Sequence, residues 1–174
     1  MSGVSGAALV ETGEGFRFHG EDIDLPPIHI LAEDYEVLAD IVCGSAAATP
    51  GVELLWRELQ RAVILDTDCP PSGLIHLNST VRYTDLVDPR RRTVQLVSPG
   101  LPTRQRHGLS VTSPVGAALI GLRVGDRFPW LSASEGLRML RVDRVEPDPS
   151  EVARLKAAEA AERRRLIDEL LSAR

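Results

Sequence analysis

At Gly73 the spacing of apolar residues along the chain changes, and that change limits the folds open to it. Upstream, apolar positions recur at helical spacing; from Leu74 onward they recur at every second residue, with turn residues between the runs. A helical segment followed by consecutive short strands predicts an α+β protein, in which the helices cover one face of an antiparallel sheet.

The first helix is expected over 33–43, where Tyr35, Leu38, Ala39, Ile41 and Val42 form a stripe and Glu33, Asp34 and Glu36 sit near the positive N-terminal end. Gly44 and Ser45 stop it. A second helix is expected over 52–65, with Leu55, Leu59, Ala62 and Val63 at helical spacing, Pro50 just ahead and Pro70-Pro71 behind. The Ala-rich link 44–51 is short, so the two should form an antiparallel hairpin whose second helix is about 20 Å long. Ahead of the hairpin, Pro26-Pro27 stiffens the chain and 28–31 serves only as a brief extended lead-in.

Beyond Gly73, strands are expected at 74–83 (broken at Asn78-Ser79), 93–98, 109–112, through Phe128 and Trp130, and at 137–145. Turns fall at 85–92, 125–126 and 132–136, and one short apolar helix spans 115–119. Residues 150–174 lack Gly and Pro and read as a helix N-capped by Ser150. Glu159 and Arg163 interrupt its stripe, which favours a solvated helix; self-association or a partner helix is the alternative. Residues 1–25 set Glu11, Glu14, Glu21, Asp22 and Asp24 against Arg17 and read as a flexible acidic arm, with a short edge strand around Phe16 and Phe18 as the alternative. The expected organisation is an arm over 1–25, a helical hairpin over 26–73, a sheet domain over 74–147 and a helix over 148–174.

Composition excludes several function classes. With 174 residues and 43% hydrophobic content, the chain supports one modest core. The formal charge of −5 argues against sequence-independent nucleic-acid binding driven by bulk charge. Aromatics at 4% are too few for a base-stacking platform. No apolar run approaches the roughly 18 residues that span a bilayer, and 4–10 lacks the preceding base of a signal peptide, so a cytoplasmic protein is expected. Cys43 and Cys69 should lie at opposite ends of the hairpin, beyond the roughly 7 Å Cα limit for a bridge. His19, His29, His76 and His107 show no metal-ligand spacing, and no cofactor is expected. Nor does any nucleophile–base pair or glycine-rich phosphate loop stand out; Ser113 has no His or acid at a useful spacing. The chain reads as a non-enzyme.

The most specific segment is 109–126. A strand delivers the chain to Ser113-Pro114, where Pro presets φ at the first helical position. Gly116, Ala117 and Ala118 keep the following helix thin enough to lie close on the sheet. Gly121 caps it, and Val124-Gly125-Asp126 turns into the next strand.

This segment resembles the C-terminal domain signature of the Gre transcription-factor family, in which a Ser-Pro step, a small-residue helix ending in Leu119-Ile120-Gly121 and the Val124-Gly125-Asp126 turn recur. The similarity extends back through 77–86 and 92–99, forward to 137–145, and over 27–147 in all. Within the family it is nearest the Rnk type, the regulators of nucleoside diphosphate kinase, whose preceding hairpin is also short. The resemblance implies an FKBP-like sheet domain carrying a stubby coiled-coil finger, and a regulator that binds RNA polymerase at its secondary channel. It also implies a docking corner at Thr112, Ser113 and Pro114, with Ala118 behind it; such a corner should present unpaired backbone N–H groups and a rigid apolar edge. Cleavage-stimulating members carry acids at the finger tip that help hold Mg²⁺, but 43–52 contains no Asp or Glu. Transcript-cleavage stimulation is therefore not expected.

Three further readings compete. The family label suggests nucleoside diphosphate kinase as a partner. The FKBP-like fold invites peptidyl-prolyl isomerase activity, although Tyr83, Phe128 and Trp130 are few aromatics for a proline pocket. Lastly, Arg90, Arg91 and Arg92 with Arg104 and Arg106 could form one basic contact surface for an acidic partner, against the simpler reading of a solvated Arg-rich loop.

Overall fold

The computed structural model describes residues 11–12, 15–18, 21–67, 70–100, 107–132, 134, 136–146 and 149–172. In chain order the elements begin with three short strands, β1 (Glu11–Thr12), β2 (Gly15–Phe18) and β3 (Glu21–Ile23). Then come β4 (His29–Leu31), α1 (Ala32–Gly44), α2 (Pro50–Arg61) and β5 (Val63–Leu65). The remainder comprises β6 (Thr80–Asp85), β7 (Arg91–Val97), β8 (Gly108–Ser110), α3 (Pro114–Leu119), β9 (Arg127–Ser132), β10 (Gly136–Glu146) and α4 (Pro149–Ser172). The mixed α+β class expected from the change of period is the one observed.

The central sheet has five strands in the order β8-β7-β6-β10-β9. Alternation sorts its two faces. Val81, Tyr83, Leu96, Leu140 and Val142 point into the core, while Arg82, Arg91, Thr93 and Arg144 take the opposite register positions. A register shift between Val142 and Arg144 places a bulge in β10. The expectation of a wholly antiparallel sheet fails at one edge, where β8 runs parallel to β7. Ten residues, 98–107, separate the two strands in sequence, so no tight hairpin joins them.

Other expectations also need correction. The second helix ends at Arg61 rather than at 65. Ala62 turns extended, and Val63–Leu65 pairs in parallel with β4, starting from the Val63 amide on the Ile28 carbonyl at 2.8 Å. Ala62, Val63, Ile64 and Leu65 continue an apolar run that periodicity cannot assign, and β-branched Val63 and Ile64 favour the strand. The strand expected from 74 starts only at Thr80. Asn78 holds a left-handed φ of 66°, and the Ser79 hydroxyl bonds the His76 carbonyl at 2.7 Å, making a tight turn instead. Arg91 and Arg92, expected in a loop, are the first residues of β7. Where composition predicts a flexible arm, β1, β2 and β3 form an antiparallel meander, and Phe16 and Phe18 lie on its middle strand.

The core is shared by the helices and the sheet. Leu38 of α1 and Leu55 and Leu59 of α2 join Ile28, Ile30, Ile75, Leu119, Leu122 and Phe128 in a single buried cluster. Helix α2 buries Gly51, Val52, Leu55, Glu58 and Leu59 along its length, so it lies on the body rather than standing away from it. Asp34, in the first turn of α1, is buried and accepts the Leu77 amide at 2.8 Å, tying that helix to the turn before β6. No helix among the described residues is long and apolar enough to cross a membrane.

Candidate functional site: the corner before α3

Strand β8 ends at Ser110, and the next three residues turn the chain into α3. Ser113 is the N-cap. Its hydroxyl donates to the Ser110 carbonyl at 2.7 Å and accepts the Gly116 amide at 3.1 Å. The Ser110 hydroxyl accepts the Thr112 amide at 3.2 Å and shares a 2.8 Å hydrogen bond with the Thr112 hydroxyl. The Ser113 amide itself donates to the Ser110 carbonyl at 3.0 Å. The corner therefore does not present free amides at Thr112, Ser113 or Gly116, contrary to expectation; two serines consume them. What it offers outward is the half-buried row Thr112, Ser113, Pro114 and Val115.

Ala118 lies beneath this row, only 1% exposed, and acts through packing. Gly116 is small for the same reason: a Cβ there would stand 2.0 Å from the Ser110 carbonyl oxygen. Gly121 ends the helix at φ +77°, with its missing Cβ pointing at Ile28 and the His29 carbonyl.

A residue that sequence reasoning missed completes the corner. At Gly51, in the first turn of α2, a Cβ would meet the Thr112 carbonyl oxygen at 2.1 Å and the Ser113 carbonyl carbon at 2.7 Å. The start of α2 thus rests directly on the backbone of the corner. Thr49 caps this helix through the Val52 amide at 3.4 Å, and Pro50 occupies its first turn. A glycine immediately after a Thr-Pro helix start, where propensity favours almost any other residue, was the available signal of close approach.

Beside the corner, a cavity of about 140 Å³ opens between α2 and the β9–β10 ribbon, with Pro50, Leu54, Pro114, Trp130 and Leu137 in its walls. Glu58 supplies a polar wall. Burial pushes its carboxyl above the ordinary range, against the opposing pull of Arg61, whose Nε donates to it at 2.8 Å. Arg61 also donates to the Pro26 carbonyl at 2.8 Å and lies 5.9 Å from the Phe128 ring centroid.

At the far end of the sheet, Asp85 and Arg138 form a buried ion pair at 2.6 Å. Burial by itself would raise the Asp85 carboxyl, but Arg138 and the Val87 and Asp88 amides together hold it below the usual carboxylate value. The arginine cluster named from sequence is divided. Arg90 and Arg92 both approach Asp88, at 3.3 and 3.9 Å, while Arg91 lies opposite Thr84 on the outer face of the sheet. Arg104, Arg106 and Cys69 lie outside the described residues; Cys43 is exposed at the end of α1.

The family described as transcription elongation factor, GreA/GreB, C-terminal, matches residues 70–147, a span that contains Thr112, Ser113, Pro114 and the five-stranded sheet. The regulator of nucleoside diphosphate kinase of Escherichia coli (strain K12) is 37% identical over 109 residues, covering 63% of this chain and 74% of that protein. The chain belongs to the GreA/GreB family. The regulator of nucleoside diphosphate kinase of Shigella flexneri matches to the same extent. Among solved structures, the elongation factor GreA/GreB from Nitrosomonas europaea superposes with a TM-score of 0.54 at 31% identity, covering 69% of this chain and 98% of that one. Membership of the GreA/GreB family thus rests on sequence and fold together, and the segment 109–126 that first suggested it lies inside the matched span.

Proposed function

We propose that the protein is a regulator that docks on RNA polymerase at the rim of the secondary channel through Thr112, Ser113 and Pro114, and does not stimulate transcript cleavage. The observation that carries this reading is the bracing of the corner. Its amides are held by Ser110 and Ser113, and its back is held by Gly51, so a fixed edge of Thr112, Pro114 and Val115 is offered without the entropy loss of ordering a loop on binding. Ala118 supports that edge from below. Arg90 and Arg92 would contribute at the margin, with Asp88 limiting their net charge.

The absence of cleavage stimulation follows from the tip of the helical pair. Residues 45–49 contain no carboxylate, so they cannot supply the oxygen ligands a hard divalent ion requires. Moreover, α2 is packed on the body from Gly51 to Leu59, which keeps that tip beside the corner.

Titrating purified protein against core RNA polymerase, with a Gre factor as competitor, tests the reading. Saturable, competed binding that is lost in Pro114→Asp supports it. Full binding by a folded Pro114→Asp variant would count against this docking surface. The relatives' name favours a second reading, contact with nucleoside diphosphate kinase, and the same titration with that kinase in place of polymerase distinguishes the two.

A further inference from the structure

Opposite the core, the five-stranded sheet turns a set of arginines to solvent. With Val81, Tyr83, Leu140 and Val142 inward, Arg82, Arg91, Arg141 and Arg144 take the outward positions, and Arg127 joins them opposite Arg141. Arg82 directly faces Arg144 across β6 and β10, just as Arg127 faces Arg141 across β9 and β10. Like charges at directly opposed positions destabilise a sheet. Two such pairs on one face are therefore not explained by folding.

Carboxylates offset this face only in part. Asp143 binds Arg141 at 2.8 Å and accepts the Thr84 hydroxyl at 2.6 Å, and Glu146 lies 3.0 Å from Arg144. Arg82, Arg91 and Arg127 are exposed. The face is thus locally positive on a chain whose formal charge is −5. Beyond a Debye length of about 8–10 Å the net charge is screened, so what approaches this face meets the arginines.

We propose that this outer sheet face binds the phosphate backbone of a nucleic-acid duplex. No aromatic residue occupies an outward register position on β6, β7, β9 or β10, so the face offers neither a stacking platform for single strands nor the aromatic anchors of a protein interface. Guanidinium groups beside the exposed hydroxyl of Thr93, which lies opposite Arg82, suit phosphate oxygens. Across β7 to β9 the arginines span roughly 14 Å at ordinary strand spacing, comparable with a duplex major groove about 12 Å wide. The bulk-charge argument against nucleic acid fails here because the charges are sorted by strand alternation, which a net count does not register.

The test needs no polymerase, so its outcome is independent of the docking corner. A short fluorescent duplex, as DNA and as RNA, is titrated by anisotropy at several salt concentrations, alongside the single strand and poly-glutamate. Saturable binding of either duplex is expected, with a salt slope that falls by about 0.9 for each arginine removed in Arg82→Ala and Arg127→Ala. The double variant should lose affinity about tenfold, whereas Arg57→Ala on α2 should not change it. Both sheet variants should melt no earlier than the parent, since each removes a like-charge pair. No duplex binding at low salt, an unchanged slope in the folded variants, or equal binding to the single strand or to poly-glutamate would overturn the proposal.

Discussion

The Thr112 carbonyl oxygen lies 2.1 Å from where a Cβ on Gly51 would stand. Alanine is the better helix former by about 1 kcal/mol, yet Gly51→Ala should destabilise the protein, because the clash is with backbone and the backbone belongs to a hydrogen-bonded turn. A loss of about 1–3 kcal/mol in urea unfolding is expected. Gly44, with nothing within 4 Å of its missing Cβ, is the internal control; Gly44→Ala should be neutral or stabilising. Equal effects at the two glycines would show that the contact is unimportant.

Ser113→Ala removes the cap of α3 and the hydroxyl bond to the Ser110 carbonyl together. A stability loss of about 1–2 kcal/mol is expected. On the docking proposal, affinity for polymerase should fall with it, since the freed Thr112–Pro114 edge must then be ordered on binding. Calorimetry of the variant, read beside its polymerase titration, separates the two effects.

Asp85 governs the acid limb. Its folded-state carboxyl titrates below its unfolded value, so its contribution is complete above the ordinary Asp value near 3.9 and is lost as pH falls through the depressed one. Asp85→Asn should cost about 3–5 kcal/mol at neutral pH by removing the buried carboxylate to which the Arg138 guanidinium donates. The variant's stability should also decline less steeply below pH 4 than the parent's. Asp143, lowered in the same direction with Thr84 and Arg141 as partners, will keep some of that slope.

Glu58 has the opposite sign. Its folded value is raised by burial, so the folded state takes up this proton before the unfolded state does, and the group's contribution improves as pH falls through the raised value. At neutral pH Glu58→Gln should be at least as stable as the parent, because a neutral side chain escapes the burial cost that raises the carboxyl while Arg61 keeps its bond to the Pro26 carbonyl. That margin should shrink toward pH 4.5 as the parent's carboxyl takes up its proton. A gap between the two proteins that stays constant with pH would rule out titration of Glu58 in this range.

How much of this was legible in the sequence depended on whether a residue's role was local. The Ser113-Pro114 helix start and the Gly121 stop were readable because capping and φ preferences act within a few residues. Period two placed β6, β7, β9 and β10, though Asn78 and Ser79 delayed the first of them. By contrast, β5 reads as helix, since its partner β4 lies more than thirty positions away and an apolar run looks alike in either state. Gly51 was overlooked because its reason, the Thr112 carbonyl, is equally remote in the chain. The arginines of the sheet were counted but not sorted, for sorting needs the register.

Helix α2 is fastened at both ends: by Gly51 on the corner at its start, and by the Ile28–Val63 strand pairing just past its finish. It therefore behaves as a strut whose length is set by the distance between two anchors. Residues added within it would pull one anchor out of place, whereas residues added at 45–49, where the chain is largely exposed, would meet only the slowly rising entropy of a longer loop. Variation in the reach of this helical pair is thus free at the connection and forbidden in the strut.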